Sequence, residues 1–365
     1  MTLVEHAARA GTRARTKAGT FRDLSLQDFV AHLSVKPLGR DDDAGTAARG
    51  ADVFEARSNQ DFGWGRLFGG QPMGQSLAAA SLTVPESMTA HWMSCMFVRE
   101  GMCDELPRFA VERVRDGRSF ASRRVRAFQG HGDILDMLVN FHVEEPGFEH
   151  QARPVPPGLV SPQDLGPNRA RYEAFAKSQG KTIDEVLPKP VQYLMLDEEQ
   201  PILVRPGLLR DVAGSPEALD PHQHSWMKVN GPGGKAKADF YETIADEEAP
   251  ADLRTELTDE QLSQAMLAFM VDFGFLGTSL LPHKKSVWQK TVMAASLTHS
   301  MHFHKPIAFC GPEDESPWLL FDQESPTATT GRGFVSGEIY NANTGTLVAT
   351  ALQEGLVRPV RPKKT

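Results

Sequence analysis

The chain has 365 residues, 40% of them hydrophobic and 24% charged, with a formal net charge of −8. That length allows two domains with sizeable cores, and a net-negative surface repels phosphate backbones, which argues against a nucleic-acid partner. The three cysteines, Cys95, Cys103 and Cys310, are too few and too odd in number for a disulfide framework; they suit a reducing cytoplasm.

Residues 1–50 read as an N-terminal arm and a short helix. Met1–Arg22 mixes Arg15, Lys17 and Arg22 with Glu5 and has no apolar core of the kind a secretory signal needs. The helix is expected over Ser25–Leu33. Residues 51–153 read as a first folded domain. It opens on a long apolar segment, Phe68–Leu82, expected to be a buried helix, and continues with strand-like runs. Residues 154–220 hold Pro154, Pro156, Pro157, Pro162 and Pro167. They read as a surface linker carrying one helix near Asn168–Gln179.

Residues 221–365 read as a second folded domain. Its long apolar segment is Gln261–Leu281. Thr258 followed by Gln261 forms a capping-box pattern, so a helix is expected to begin there. The residues from Leu262 to Leu276 are apolar on nearly every side, which marks a buried helix. The longest unbroken apolar stretch in it, Ala265–Val271, is far short of a membrane span.

The two domains share a repeat. Gly117-Arg118-Ser119-Phe120-Ala121-Ser122 matches Gly331-Arg332-Gly333-Phe334-Val335-Ser336. After each copy come a strand-like run, a Gly- and Asn- or Asp-bearing turn, and a second strand-like run, the pattern of an antiparallel hairpin. This register sets Asn140 opposite Gln353. A helix followed by antiparallel strands, twice over, is the α+β class.

Asp272 is the sharpest chemical feature. A carboxylate inside an apolar helix must be paired, hydrogen-bonded or protonated, and such carboxylates cluster at functional sites. A structural Asp bonding nearby backbone stands as the other reading. Familiar signatures fail. Gly117–Ala121 ends in Ala where a nucleophile elbow needs Gly, and a strand follows it. Gly233-Gly234-Lys235-Ala236 lacks the Ser or Thr of a phosphate-binding loop. His302 and His304 share a strand face, but no carboxylate or Cys of suitable spacing joins them, so no metal is expected. Gln353 lies in an apolar strand and needs partners.

Taken together, these segments resemble the bacterial acyl-CoA thioesterase II family. The resemblance is carried by Phe68-Gly69-Gly70-Gln71, Arg113–Arg124, Pro146–His150, Asp272–Leu276, His299-Ser300-Met301, Gly331–Phe334 and Gln353-Glu354-Gly355. It implies a tandem (double) hotdog: two long buried helices, each wrapped by an antiparallel sheet. It implies an enzyme that hydrolyses fatty acyl-CoA with no cofactor. Its catalytic positions fall on Asp272, Ser296 and Gln353. Ser296 stands where the family usually has Thr, which removes the methyl group that stiffens the rotamer. His302 stands where Trp is usual. Phe68, Gly69, Gly70 and Gln71 are expected to line the acyl slot.

Asp272 would serve as general base toward a water. Gln353 and Ser296 would orient that water and the substrate oxygen. The first domain lacks these residues, so one active site per pair is expected. Two other readings are a hotdog enoyl-CoA hydratase and a non-catalytic acyl-CoA binding protein. The first usually needs a His about a turn after the Asp, and none occurs before His283. No membrane span is expected. A homo-oligomer is expected, because exposed sheet edges call for covering.

Overall fold

The computed structural model describes residues 19–20, 24–41, 50–63, 65–213, 217–311 and 316–360. The arm expected over 1–22 lies outside them, apart from residues 19 and 20.

In chain order the first elements are β1 (Gly19–Thr20), α1 (Leu26–Leu33), β2 (Val35–Arg40), β3 (Asp52–Ala56), β4 (Gln60–Asp61) and α2 (Gly70–Ser81). Strands β5 (Met88–Phe97), β6 (Arg108–Asp116), β7 (Phe120–Gln129) and β8 (Gly132–Val143) follow. Next come α3 (Pro162–Leu165), α4 (Asn168–Ser178), α5 (Ile183–Val186), α6 (Lys189–Met195), β9 (Ile202–Pro206) and β10 (His222–Val229). The rest are α7 (Gly233–Thr243), α8 (Asp259–Met270), a 3-10 helix (Phe275–His283), β11 (Val292–Phe303), β12 (Leu319–Thr329), β13 (Arg332–Asn341) and β14 (Leu347–Pro359).

These form two compact units that do not follow the sequence boundaries as blocks. The first holds Met1–Phe148, Gly231–Phe269 and Pro306–Ser316. The second holds Glu149–Asn230, Met270–Lys305 and Pro317–Thr365.

In the first unit the strands run antiparallel in the order β2-β3-β6-β7-β8-β5. Helix α1 starts at Ser25, whose side chain caps the backbone N–H of Asp28 while the Asp28 carboxylate answers the Ser25 N–H. Helix α2 is buried along its whole length. Small residues make this possible. A Cβ on Gly70 would land on the carbonyl oxygen of Phe269, and one on Gly74 would sit 2.8 Å from the carbonyl oxygen of Ala265. Helices α2 and α8 therefore cross backbone to backbone at these glycines.

The glutamine amides that α2 and α8 take into the core are hydrogen-bonded, as buried amides must be. Gln75 Nε2 donates to the carbonyl of His32 at 2.6 Å. Gln264 brackets the backbone of Ala90, accepting its N–H at 3.0 Å and donating to its carbonyl at 2.8 Å. That is where the β5–β8 register shifts, so the side chain satisfies groups the irregular ladder leaves over. The Thr258–Gln261 capping box is present in both directions, at 3.1 and 3.2 Å.

Glu260, in the first turn of α8, accepts the backbone N–H groups of Ile307 (3.0 Å) and Ala308 (3.3 Å). Burial nevertheless pushes its carboxyl up to about 7. A raised acid binds its proton more tightly when folded, so its contribution is full below the ordinary pKa and is lost as pH rises through about 7. Glu260→Gln should therefore flatten the fall in melting temperature between pH 5 and 8. Thermal melts across that range check it; an unchanged slope would reject the assignment.

In the second unit the order is β11-β14-β13-β12-β10-β9, all antiparallel. The continuous helix expected over Gln261–Leu281 is broken. The α-helix ends at Met270, the chain turns through Val271–Gly274, and a 3-10 helix runs on from Phe275. Gly274 has φ 72°, a left-handed conformation that glycine adopts without strain, and it stands directly before the first residue of the 3-10 helix.

The 3-10 helix lies against β10, β12, β13 and β14. Close approach is again bought with glycine: a Cβ on Gly333 would overlap the Ser279 side chain, and one on Gly355 would overlap Leu276. Thr278, Gln223 and Gln323 form a hydrogen-bonded triangle that ties the 3-10 helix to β10 and β12. The segment Asp259–His283 is long and apolar enough to cross a membrane, but 78% of its most apolar window is buried inside the protein, as core helices are.

Residues 154–220, expected as a linker, carry α3 to α6 and strand β9. They also form an apolar cluster of their own around Tyr172, Val186, Leu187 and Leu196. The repeat holds as a pair of hairpins, β7–β8 and β13–β14, but its register needs one correction. Ala121 and Val335 are equivalent repeat positions. Ala121 pairs with Phe141, whereas Val335 pairs with Gln353. The rung matching Gln353 thus holds Phe141, not Asn140. The offset between the copies is 335 − 121 = 214 on the first strand and 353 − 141 = 212 on the second, so one count along the chain does not carry the register, and the step from Phe141 to Asn140 moves the side chain to the other sheet face.

Candidate active site

Three side chains from the second unit meet at one point. Gln353 comes from β14, Ser296 from the neighbouring β11, and Asp272 from the turn after α8. The strand geometry explains the first two. Ser296 pairs with Gly355, and His299 pairs with Gln353. Three residues on β11 therefore span two on β14, because the ladder bulges between Ser296 and Thr298. In a regular strand Ser296 and His299 would point to opposite faces. The extra residue restores both to the face that carries Gln353, a common use of a bulge beside a functional site.

Asp272 is not in mid-helix, as its sequence context suggests. It sits in the turn that breaks the helix, and it is partly exposed rather than sealed in the core. Gln353 Nε2 donates to Asp272 Oδ1 at 2.7 Å and to Ser296 Oγ at 2.9 Å. Ser296 Oγ in turn donates to the same Asp272 oxygen, at 3.3 Å. The Gln353 amide is completely buried. Its orientation is fixed by chemistry, since an ionised carboxylate only accepts and so must face the NH2 end. The result is a carboxylate held by two neutral donors at the edge of a core. Such a group can take a proton from a water while its position stays fixed.

The other predicted residues lie in the first unit. Phe68 packs edge to face on Phe62 and Phe269, with centroids 5.5 and 5.2 Å apart. Gly69 precedes α2, and Gly70 is its first residue, at the crossing with Phe269. Gln71 is fully buried and donates to Asn59 Oδ1 at 2.7 Å. The side chains of Phe68 and Gln71 are thus engaged in packing and hydrogen bonds of their own. His302 and His304 are both exposed, with rings stacked 6.4 Å apart.

One residue of the site gives little signal in the sequence. His299 is buried, stands directly across the ladder from Gln353, and packs its ring 5.9 Å from that of Phe275. Burial pushes its imidazole down to about 3, so the ring is neutral. In the sequence His299 stood only as part of the His299-Ser300-Met301 segment that carries the family resemblance, with no role of its own.

Comparison with known proteins adds an independent line. Residues 242–356 match the family model described as acyl-CoA thioesterase, and residues 59–142 match the one described as acyl-CoA thioesterase N-terminal domain. Acyl-CoA thioesterase 2 of Haemophilus influenzae is 31% identical over 307 residues, covering 84% of this chain and 93% of the relative. Acyl-coenzyme A thioesterase 8 of Mus musculus is 32% identical over 300 residues, covering 80% of each. Among solved structures, an acyl-CoA thioesterase II, TesB2, from Mycobacterium marinum is similar with a TM-score of 0.59 at 26% identity, covering 92% of this chain and 98% of that one. A hot dog-fold protein of unknown function from Alicyclobacillus acidocaldarius gives 0.61 at 16% identity, with the same coverage.

Proposed function

The chain belongs to the acyl-CoA thioesterase II family, with a tandem hotdog fold and acyl-CoA thioester hydrolase activity; from that premise we propose that Asp272, Ser296 and Gln353 carry the reaction. The observation behind this reading is the double donation of one buried amide, Gln353, to Asp272 and Ser296.

The substrate proposed is a fatty acyl-CoA. A water held beside Asp272 attacks the thioester carbonyl carbon as its proton passes to the carboxylate. The carbonyl π pair moves onto oxygen, then returns as the C–S bond breaks. The proton held by Asp272 goes to the departing sulfur, leaving fatty acid and CoA. Gln353 and Ser296 keep the carboxylate from turning away, an orientation effect. No covalent intermediate, metal or cofactor enters. Phe68–Gln71 are proposed to border the acyl slot. The compartment proposed is the cytoplasm, and the solution form a homo-oligomer; light scattering at the mass of a single chain would remove the latter.

Release of CoA from a panel of acyl-CoA substrates of increasing chain length tests the activity and sets its preference. Gln353→Ala is expected to lower kcat about 100-fold, because it frees the base and its neighbour at once. Ser296→Ala removes one weak donor, so roughly a tenfold loss is expected, while Ser296→Thr keeps the hydroxyl and the activity. Equal rates for Ser296→Ala and the parent would take the hydroxyl out of the mechanism.

A further inference from the structure

Three polar atoms in this neighbourhood carry no hydrogen bond among the described residues. They are Gln353 Oε1 and both ring nitrogens of His299. All three are buried, and leaving such groups unpaired is unfavourable. They also belong together. His299 and Gln353 are direct partners across the β11–β14 ladder, and directly opposed residues hold their side chains on one sheet face. Their chemistry is complementary. With both Gln353 N–H bonds committed to Asp272 and Ser296, the amide oxygen needs a donor. The nearest side chain across the ladder is a neutral imidazole, which has one N–H to give.

We infer that His299 is the positioning residue of this site: in the substrate-bound enzyme its ring N–H serves the Gln353 amide oxygen and locks the amide with its NH2 end on Asp272 and Ser296. The inference rests on the proposed role of Asp272, Ser296 and Gln353. It assigns His299 no contact with substrate. Without that donor the amide oxygen stays unpaired in the core, and only the bonds of the NH2 end to Asp272 and Ser296 hold the amide in place. The two groups are opposed across the ladder, complementary and unbonded here, and a catalytic hydrogen bond of this kind can form with substrate in place. Phe275, packed against the imidazole, limits how far the ring can turn.

A double-mutant cycle with Gln353→Ala tests the inference. His299→Phe keeps a ring of similar size in the core and removes the donor. It is expected to lower kcat roughly 10- to 100-fold while KM changes little. His299→Gln, which restores an N–H, should recover most of the loss. In the Gln353→Ala background, His299→Phe should cost nothing further, because the residue acts through that amide.

Wild-type kcat in His299→Phe would overturn the inference, and so would losses that multiply in the double variant. If Gln353→Ala itself runs at the parent rate, the proposed site fails first, and the two failures are told apart. Should the ring variants not fold, ¹⁵N shifts of His299 in the parent enzyme with a non-hydrolysable acyl-CoA thioether bound decide it. A single neutral tautomer with a hydrogen-bonded N–H supports the inference; a ring without one contradicts it.

Discussion

Asp272→Asn should lower kcat for acyl-CoA hydrolysis by about 10²- to 10⁴-fold, the range that a positioned general base contributes, and leave the fold intact. The substitution is close to isosteric. Its amide oxygen can still accept from Gln353 Nε2, now 2.7 Å from the carboxylate, and from Ser296 Oγ. What it loses is the ability to take a proton from water. Asp272 is partly exposed in a turn, so no buried charge is left stranded by the change. The melting temperature should stay near that of the parent, and KM should move little. Retained activity in Asp272→Asn would remove the carboxylate from the reaction. Loss of activity together with the melt would mean the residue is structural.

Gly70→Ala is expected to have the largest effect on stability. The new Cβ would fall on the backbone carbonyl oxygen of Phe269 and 2.6 Å from the Phe68 ring. The carbonyl is part of α8 and cannot rotate away as a side-chain tip does. Relief requires the two helices to separate at their crossing, at a cost of about 1–3 kcal/mol for overpacking, which lowers the melting temperature by several degrees. Gly147→Ala is the matched control, because its Cβ would meet nothing within 4 Å, and it should stay within roughly 0.5 kcal/mol of the parent. The pair of melts also bears on the acyl slot. If Gly70→Ala melts like the parent but raises KM, the glycine serves substrate approach rather than helix packing.

Much of this arrangement was legible in the residues. The capping box at Thr258 and Gln261 places the start of α8, because the pattern states both hydrogen bonds outright. The Gly-Arg-x-Phe-x-Ser repeat shows two hairpins, because tight turns demand particular residues. Asp272 and Gln353 stood out as polar residues in apolar segments, but joining them with Ser296 into one site came only through the family resemblance.

What stayed hidden has physical causes. The helix break after Met270 is masked because the segment is apolar throughout, and a fully buried element shows no periodicity to tell an α-helix from a 3-10 helix; Gly274 was its one signal. The bulge beside Ser296 leaves no residue signature, yet it decides which face Ser296 and His299 share. Asn140 was placed one rung wrong for a related reason: register is set by turn geometry, which a residue count does not see. Gln261 reads as the capping-box residue; that it also donates to the Met88 carbonyl, and that Gln264 brackets Ala90, only the structure shows.

The claim at the centre is that Asp272 activates a water and is never acylated. A single turnover in H2¹⁸O, with enzyme in excess over acyl-CoA, followed by mass spectrometry of the fatty acid and of the peptide containing Asp272, tests it directly. The expected result is ¹⁸O in the fatty acid carboxylate and none in Asp272. Label in the Asp272 carboxylate, or an acyl adduct on that peptide, would contradict it.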